Sequence, residues 1–255
     1  MGTLARSVGL VVCALVVVAC NGEDGTGGSG GTAGSGGTAG SGGTAGTGGS
    51  DTSTVSGTVT NRDAVESPVP GALVSVFGTE ISTTTDENGE FTLEGVPNGD
   101  AFLVTEAEGT WGIIDYWEVP GETQFGATLG VVQDADIAAV GDALQRTLST
   151  DDGIVDVTFF VGAVGGETAS ISAASDPPFT FNLADEPVAQ EGVIADNDGF
   201  GELIFSSVDP DEGPITATVS GVPGTTQCFV DESPGTTYPI RPKSITIVYA
   251  GCQGQ

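Results

Sequence analysis

Val55-Ser56-Gly57-Thr58-Val59, Pro68-Val69-Pro70-Gly71-Ala72-Leu73-Val74-Ser75-Val76 and Thr85-Asp86-Glu87-Asn88-Gly89-Glu90-Phe91-Thr92-Leu93 decide how this chain folds. Val55 and Val59 alternate with Ser56, Thr58 and Thr60; Val74 and Val76 alternate with Leu73, Ser75 and Phe77; Phe91 and Leu93 alternate with Thr92 and Glu94. A period of two is the mark of strands that bury one face. Pro70-Gly71, Asn88-Gly89 and Pro97-Asn98-Gly99 punctuate these runs at the spacing of an antiparallel sandwich. Asp86-Glu87-Asn88-Gly89 reads as a hairpin turn, because Asn and Gly tolerate a positive φ.

The order of these segments, closed by Val96-Pro97-Asn98-Gly99, resembles the carboxypeptidase regulatory-like domain from Val55 to near Leu129. That resemblance implies a transthyretin-like seven-strand sandwich and a non-catalytic accessory role. The zinc ligands of the carboxypeptidases that give the family its name lie in another domain. A chain without His could not supply them. The second half repeats the plan more loosely. Gly153–Val157 echoes the opening strand, Gly165–Ile171 the Gly-Ala-x-Val strand, and Asp196-Asn197-Asp198-Gly199 the turn at Asp86. Further strand patterns run over Ile215–Val219 and Ser244–Ala250. Between the halves, Asp134–Leu148 carries Ile137, Val140, Leu144 and Leu148 on one helical face, with Asp134 and Asp136 at its start and Arg146 near its end. The expectation is an all-β fold: two Greek-key, transthyretin-like sandwiches in tandem with one connecting helix. The segments are a leader over 1–19, a disordered Gly-rich linker over 20–53, a sandwich over 54–130, the helix segment over 131–150 and a second sandwich over 151–255.

The leader has one positive charge, at Arg6, and an apolar run over 8–19, too short for the roughly 20 residues that span a bilayer. It ends in Val17-Val18-Ala19-Cys20, which looks like a bacterial lipobox and implies acylation of the Cys20 thiol with cleavage before it. Two or three acyl chains, at about 0.8 kcal/mol per buried CH₂, anchor stably where one would be marginal. The following Gly-Ser-Gly-Gly-Thr-Ala repeat has no apolar face and should behave as a flexible coil. Its root-mean-square reach is roughly 30 Å. Asn21, where inner-membrane retention usually uses Asp, points to the outer membrane of a Gram-negative host, facing either the periplasm or the surface.

Lys and Arg number 5 against 35 Asp and Glu, a formal net charge of −30. Such a surface repels nucleic acid and anionic lipid and attracts cations. The absence of His removes His general bases, His-activated nucleophiles and His-dependent zinc sites. Lys243 is the only lysine and no carboxylate pair has a glycosidase spacing, so no enzyme is expected. Cys13 leaves with the leader and Cys20 is acylated, which leaves Cys228 and Cys252 to form a disulfide in an oxidising compartment. Closing that loop adds about 3 kcal/mol in the chain-entropy account.

Two further candidates each have two readings. Trp111, Tyr116 and Trp117 either form a platform for a sugar or a partner protein, or cap the core through which Ile113 and Ile114 run. Asp196 and Asp198, with Asp209 and Asp211 nearby in sequence, have the composition of a calcium loop without the EF-hand spacing. The same residues also suit a tight solvated turn. The expected function is therefore that of an exported, membrane-anchored structural or interaction module. It has no required cofactor, is held to the bilayer through Cys20, and contacts an envelope protein or carbohydrate. The alternative is a carbohydrate- or calcium-binding module.

Overall fold

The computed structural model describes residues 51–62, 67–121, 125–231 and 237–255. Cys20, the leader and the Gly-rich repeat lie outside the described residues. The fold is mostly strand, as the period-two pattern predicts. Seven strands build the first half: β1 (Thr52–Asn61), β2 (Leu73–Val76), β3 (Ser82–Thr84), β4 (Glu90–Pro97), β5 (Gly99–Glu106), β6 (Thr110–Val119) and β7 (Phe125–Gln133). β1 pairs antiparallel with β4 and parallel with β7, while β2 pairs with β3 and β5, and β5 with β6. Val55 and Val59 of β1, Phe91 and Leu93 of β4, Val74 of β2 and Leu103 of β5 meet in one buried cluster between these two layers. Gly57 is obligatory here, since a Cβ at that position would lie 1.7 Å from the carbonyl oxygen of Ala127 on β7.

The second half contains β8 (Gly153–Val161), β9 (Thr168–Ile171), β10 (Phe179–Phe181), β11 (Pro187–Ala189), β12 (Gly201–Val208), β13 (Ala217–Ser220), β14 (Thr226–Val230) and β15 (Ser244–Gly254). β8 lies between β12 and β15, β14 continues from β15, and β13 pairs with β9 as a separate ribbon. Val155, Val157, Phe159, Leu203, Phe205, Val248 and Ala250 point to one side of that sheet and form a second core, with Ala169, Ile171, Ala217 and Val219 of the ribbon packed against it.

The halves are joined by more than a helix. β15 pairs parallel with β8 through Ile245–Gly251 and also with β6 through Ser244–Thr246, so one hydrogen-bonded sheet runs from the second half into the first. The other side of this shared sheet carries a third core: Trp111, Ile113, Ile154, Ile204, Ile245 and Ile247, with Ile137 and Val140 of α1 (Asp134–Leu144) packed among them. The helix is one turn shorter than the sequence pattern suggests. Gln145 adopts a left-handed backbone (φ 57°) and its N–H bonds back to Asp142. Leu148 still packs on the cluster, from the loop that follows.

The two halves share one device in atomic detail. In the first, Asp86 Oδ1 accepts the N–H groups of Asn88 (2.8 Å) and Glu90 (2.9 Å), Gly89 takes φ +75°, and the Gly89 carbonyl accepts Val59 N–H at 2.8 Å. In the second, Asp196 Oδ1 accepts the N–H groups of Asp198 (2.8 Å) and Phe200 (2.9 Å), Gly199 takes φ +80°, and the Gly199 carbonyl accepts Ala163 N–H at 3.0 Å. Each turn therefore ties a hairpin to the strand it must lie beside.

Candidate functional site

On the helix side of the shared sheet the apolar pattern breaks. Asp156 and Thr158 follow Ile154 on β8, Glu202 precedes Ile204 on β12, Tyr249 follows Ile247 on β15, and Asp115 follows Ile113 on β6. Register places Asp156 opposite both Ile247 and Ile204, and Thr158 opposite both Tyr249 and Glu202, so these polar groups form one patch. The patch is buried: Asp115 is 5 % exposed, Asp156 1 % and Glu202 4 %. Tyr249 donates its hydroxyl to Asp115 Oδ1 at 2.9 Å, and Thr158 donates to Asp156 Oδ1 at 3.2 Å. Asp156 Oδ2 and Glu202 Oε1 have no hydrogen-bond partner among the described residues. The counter-charge comes from the first half, where Arg62 leaves the end of β1 and lays its side chain over Gly130.

One guanidinium facing three buried carboxylates leaves them short of positive charge, and desolvation wins. Burial pushes the Asp156 carboxyl up to about 6, against the opposing pull of Arg62 and Thr158. Burial also holds Glu202 well above the usual carboxylate range, helped by the Asp156 charge and only partly offset by Arg62. Asp115 rises for the same reason, moderated by Arg62, the Tyr249 hydroxyl and Trp117. Burial and then the Asp115 charge raise the Tyr249 phenol.

The disulfide is present. Cys228 and Cys252 stand directly opposite on β14 and β15, with Cα atoms 4.1 Å apart and a sequence separation of 24. Beside it lies Glu167, fully buried, whose carboxylate accepts Val164 N–H (2.9 Å), Gly165 N–H (2.8 Å) and the Thr226 hydroxyl (3.2 Å). Glu167 and the two sulfurs are the one group of three among the described residues whose ligand atoms all lie within 4.8 Å. Two of those atoms are bonded to each other as a disulfide, so the arrangement is structural.

The structure separates the other sequence-predicted residues. Alternation along β6 places Tyr116 on the face opposite Trp111 and Trp117, so the three rings do not form one platform. Trp111 is 2 % exposed and belongs to the third core. Trp117 packs, half-buried, against the first core. The Tyr116 ring meets Phe102 edge-on at 5.9 Å, and its hydroxyl donates to Asp100 at 2.8 Å. Trp117→Ala is accordingly expected to lower unfolding free energy by about 2 kcal/mol, read by denaturant titration, as half-buried ring surface is lost.

Asp196, Asp198, Asp209 and Asp211 do not gather as ligands either. No three of them bring carboxylate oxygens within 4.8 Å of one another. Asp196 Oδ1 is committed to its turn, and Asp209 Oδ1 accepts Asp211 N–H at 2.9 Å to cap the short 3₁₀ turn Pro210–Glu212. Tight-turn chemistry accounts for both pairs. Lys243 Nζ pairs with Asp134 Oδ2 at 3.0 Å at the start of α1, and the two remaining described arginines are also engaged: Arg241 with Glu106 (2.8 Å) and Arg146 with the Pro177 carbonyl (2.8 Å). Sequence reasoning missed Asp115, Asp156, Glu202 and Glu167; each of the first three stands two residues from one Ile on its strand, a pattern shared with strands that have one wet face.

No curated protein matches the chain in sequence. Among solved structures, a mutant type II cohesin–X-dockerin complex of Acetivibrio cellulolyticus is similar at 20 % identity, covering 36 % of this chain and 73 % of that one with a TM-score of 0.28. The Bacillus anthracis TIE protein matches at 14 % identity over 79 % of this chain and 34 % of its own, TM-score 0.27. The shaft pilin SpaA of Lactobacillus rhamnosus GG matches at 12 % over 80 % of this chain and 98 % of its own, TM-score 0.21. Family comparison is more specific. Residues 54–114, from β1 to the middle of β6, match the carboxypeptidase regulatory-like domain, the family the opening strands and turns resemble.

Proposed function

We propose that this chain is an exported, lipid-anchored module of the cell envelope that works by contact with a partner and not by catalysis. The carrying observation is the carboxypeptidase regulatory-like match over residues 54–114, in a chain whose Val17-Val18-Ala19-Cys20 and Gly-rich repeat read as anchor and tether. The chemistry of the described residues supports it. Both cysteines form a disulfide, the single lysine is paired with Asp134, and the three strongly perturbed carboxyls are buried in the sheet. Anchoring holds the folded part at a root-mean-square distance of roughly 30 Å from the membrane. A Cys20→Ser chain expressed in its native host is expected to move from the membrane pellet to the soluble envelope fraction, as followed by immunoblot. A variant that still sediments with the membrane as the parent does would overturn the anchoring.

A further inference from the structure

The strand that joins the two halves ends at the disulfide. β15 pairs with β6 and β8 from its start and with β14 towards its end, where Cys252 is bonded to Cys228. Cys252 is 6 % exposed and Cys228 is only partly buried, so the Cys228 side is the more open to solvent. Glu167 stands against the bond, with a carboxylate oxygen within 4.8 Å of both sulfurs and no exposure of its own. Gly165 and Gly166 take φ +92° and +97°, and this path turns the Val164 and Gly165 N–H groups onto the carboxylate. Those donors need an acceptor, which a neutral side chain also offers. A negative charge does one thing more.

A disulfide is opened by a thiolate, which attacks one sulfur and expels the other as a thiolate. Attack at the more open Cys228 forms a mixed disulfide with the reagent. The electron pair of the broken S–S bond goes to Cys252 Sγ, which then takes a proton from water. That charge develops in a dry position beside a carboxylate, where like charges repel far more than in water.

We propose that Glu167 guards the Cys228–Cys252 disulfide against reduction by thiols through its charge, in addition to its packing. The charge it opposes is the sulfur's own, so the guard acts on any thiol whatever its tail. Reoxidation is slowed for the same reason, since it also needs one of these sulfurs as a thiolate. The bond is thereby a permanent staple on the end of β15 and not a switch. This device does not depend on how the chain is anchored.

Reduction of the folded, full mature chain by excess dithiothreitol at about pH 8 tests it. One thiolate of the reagent forms the mixed disulfide; the second displaces Cys228, closes the reagent's cyclic disulfide and leaves two protein thiols. Quenching by alkylation and peptide mass spectrometry then counts alkyl groups on Cys228 and Cys252. Glu167→Gln, neutral and of the same size, is expected to be reduced at least ten-fold faster than the parent. Thr226→Val takes a donor from Glu167 and an acceptor from the Val222 N–H, which loosens the same loop and leaves the carboxylate in place. It is expected to stay within about three-fold of the parent. Glu87→Gln, which removes one charge far along the chain, is expected to change the rate by less than about two-fold. The Glu167→Gln advantage is expected to persist from about 0.05 to about 0.5 M NaCl, because a buried charge is screened little. Equal acceleration in Glu167→Gln and Thr226→Val would assign the protection to loop closure alone and overturn the proposal. A Glu167→Gln rate equal to the parent's, or an advantage that vanishes at high salt, would overturn it too. So would a Glu167→Gln rate that climbs with urea as steeply as unfolding does, since reduction would then follow opening of the fold.

Discussion

Glu167→Ala is expected to lower the unfolding free energy by about 4 kcal/mol, the largest loss at any polar side chain in the second half. Glu167 lies in the loop between β8 and β9, yet it is fully buried, because its carboxylate serves as the acceptor for three donors that have no strand partner. Val164 and Gly165 point their N–H groups into it, and Thr226 reaches it from β14, 59 residues away. The Glu167 backbone also works: its carbonyl accepts Val193 N–H at 2.8 Å, fixing the loop that leads to the Asp196 turn. Removing the side chain takes the acceptor from two part-buried amides and a buried hydroxyl and opens a cavity beside the disulfide. Each orphaned donor costs about 1 kcal/mol or more, and the void adds to that. Glu167→Gln keeps one acceptor oxygen but turns an amide NH₂ toward the other backbone donor, so about half the loss is expected. Urea denaturation of the oxidised protein measures both. A loss below about 1 kcal/mol for Glu167→Ala would mean that water replaces the carboxylate and the loop is not held by it.

The strands and turns were legible because their physics is local. Alternation of Val55, Val59, Phe91 and Leu93 with polar neighbours needs only a one-sided core, and the Asp-x-x-Gly turns need only an Asp acceptor and a Gly at positive φ. The disulfide followed from counting cysteines. The buried acidic patch was illegible for the opposite reason. Ile154, Asp156 and Thr158 alternate with Val155, Val157 and Phe159 like any strand with one wet face. That face is dry only because β15 brings β6 beside it, α1 covers the apolar end, and Arg62 arrives from the first half. The β15–β6 pairing and the approach of Arg62 join residues nearly a hundred or more positions apart, to which periodicity is blind. The aromatic trio failed through strand alternation itself: seven residues of sequence proximity put Trp111 in one core, Trp117 in another and Tyr116 on the opposite face. The parallel pairing of β15 with both β8 and β6 had no local signal either, since a parallel neighbour is chosen by the crossover and not by the strand.

Asp156→Asn is expected to stabilise the protein at pH 8 and to change little at pH 4. Burial raises the Asp156 carboxyl to about 6, above its value of about 3.9 in an unfolded chain. Between those two values the folded state holds a proton that the unfolded state has released, so stability falls as pH rises. The contribution is fully present below about pH 4, where both states are protonated, and lost once pH passes through about 6. A difference near two pKa units corresponds to on the order of 2–3 kcal/mol. Asparagine keeps the shape and an acceptor for Thr158 and never ionises, so it escapes that loss. Arg62 pulls the Asp156 carboxyl down but does not reverse the sign, because burial is the larger influence. Removal of the Asp156 charge also relieves Glu202, whose carboxyl that charge pushes up after burial itself. For a folded part of this size the gain corresponds to a melting temperature higher by roughly 4–10 °C at pH 8. Parallel scans at pH 4 and pH 8, with Glu87→Gln as a control for general charge repulsion, separate the local effect from the global one. If Asp156→Asn and the parent differ equally at both pH values, the Asp156 carboxyl does not carry its proton into the folded state, and the patch is wetter than its burial indicates.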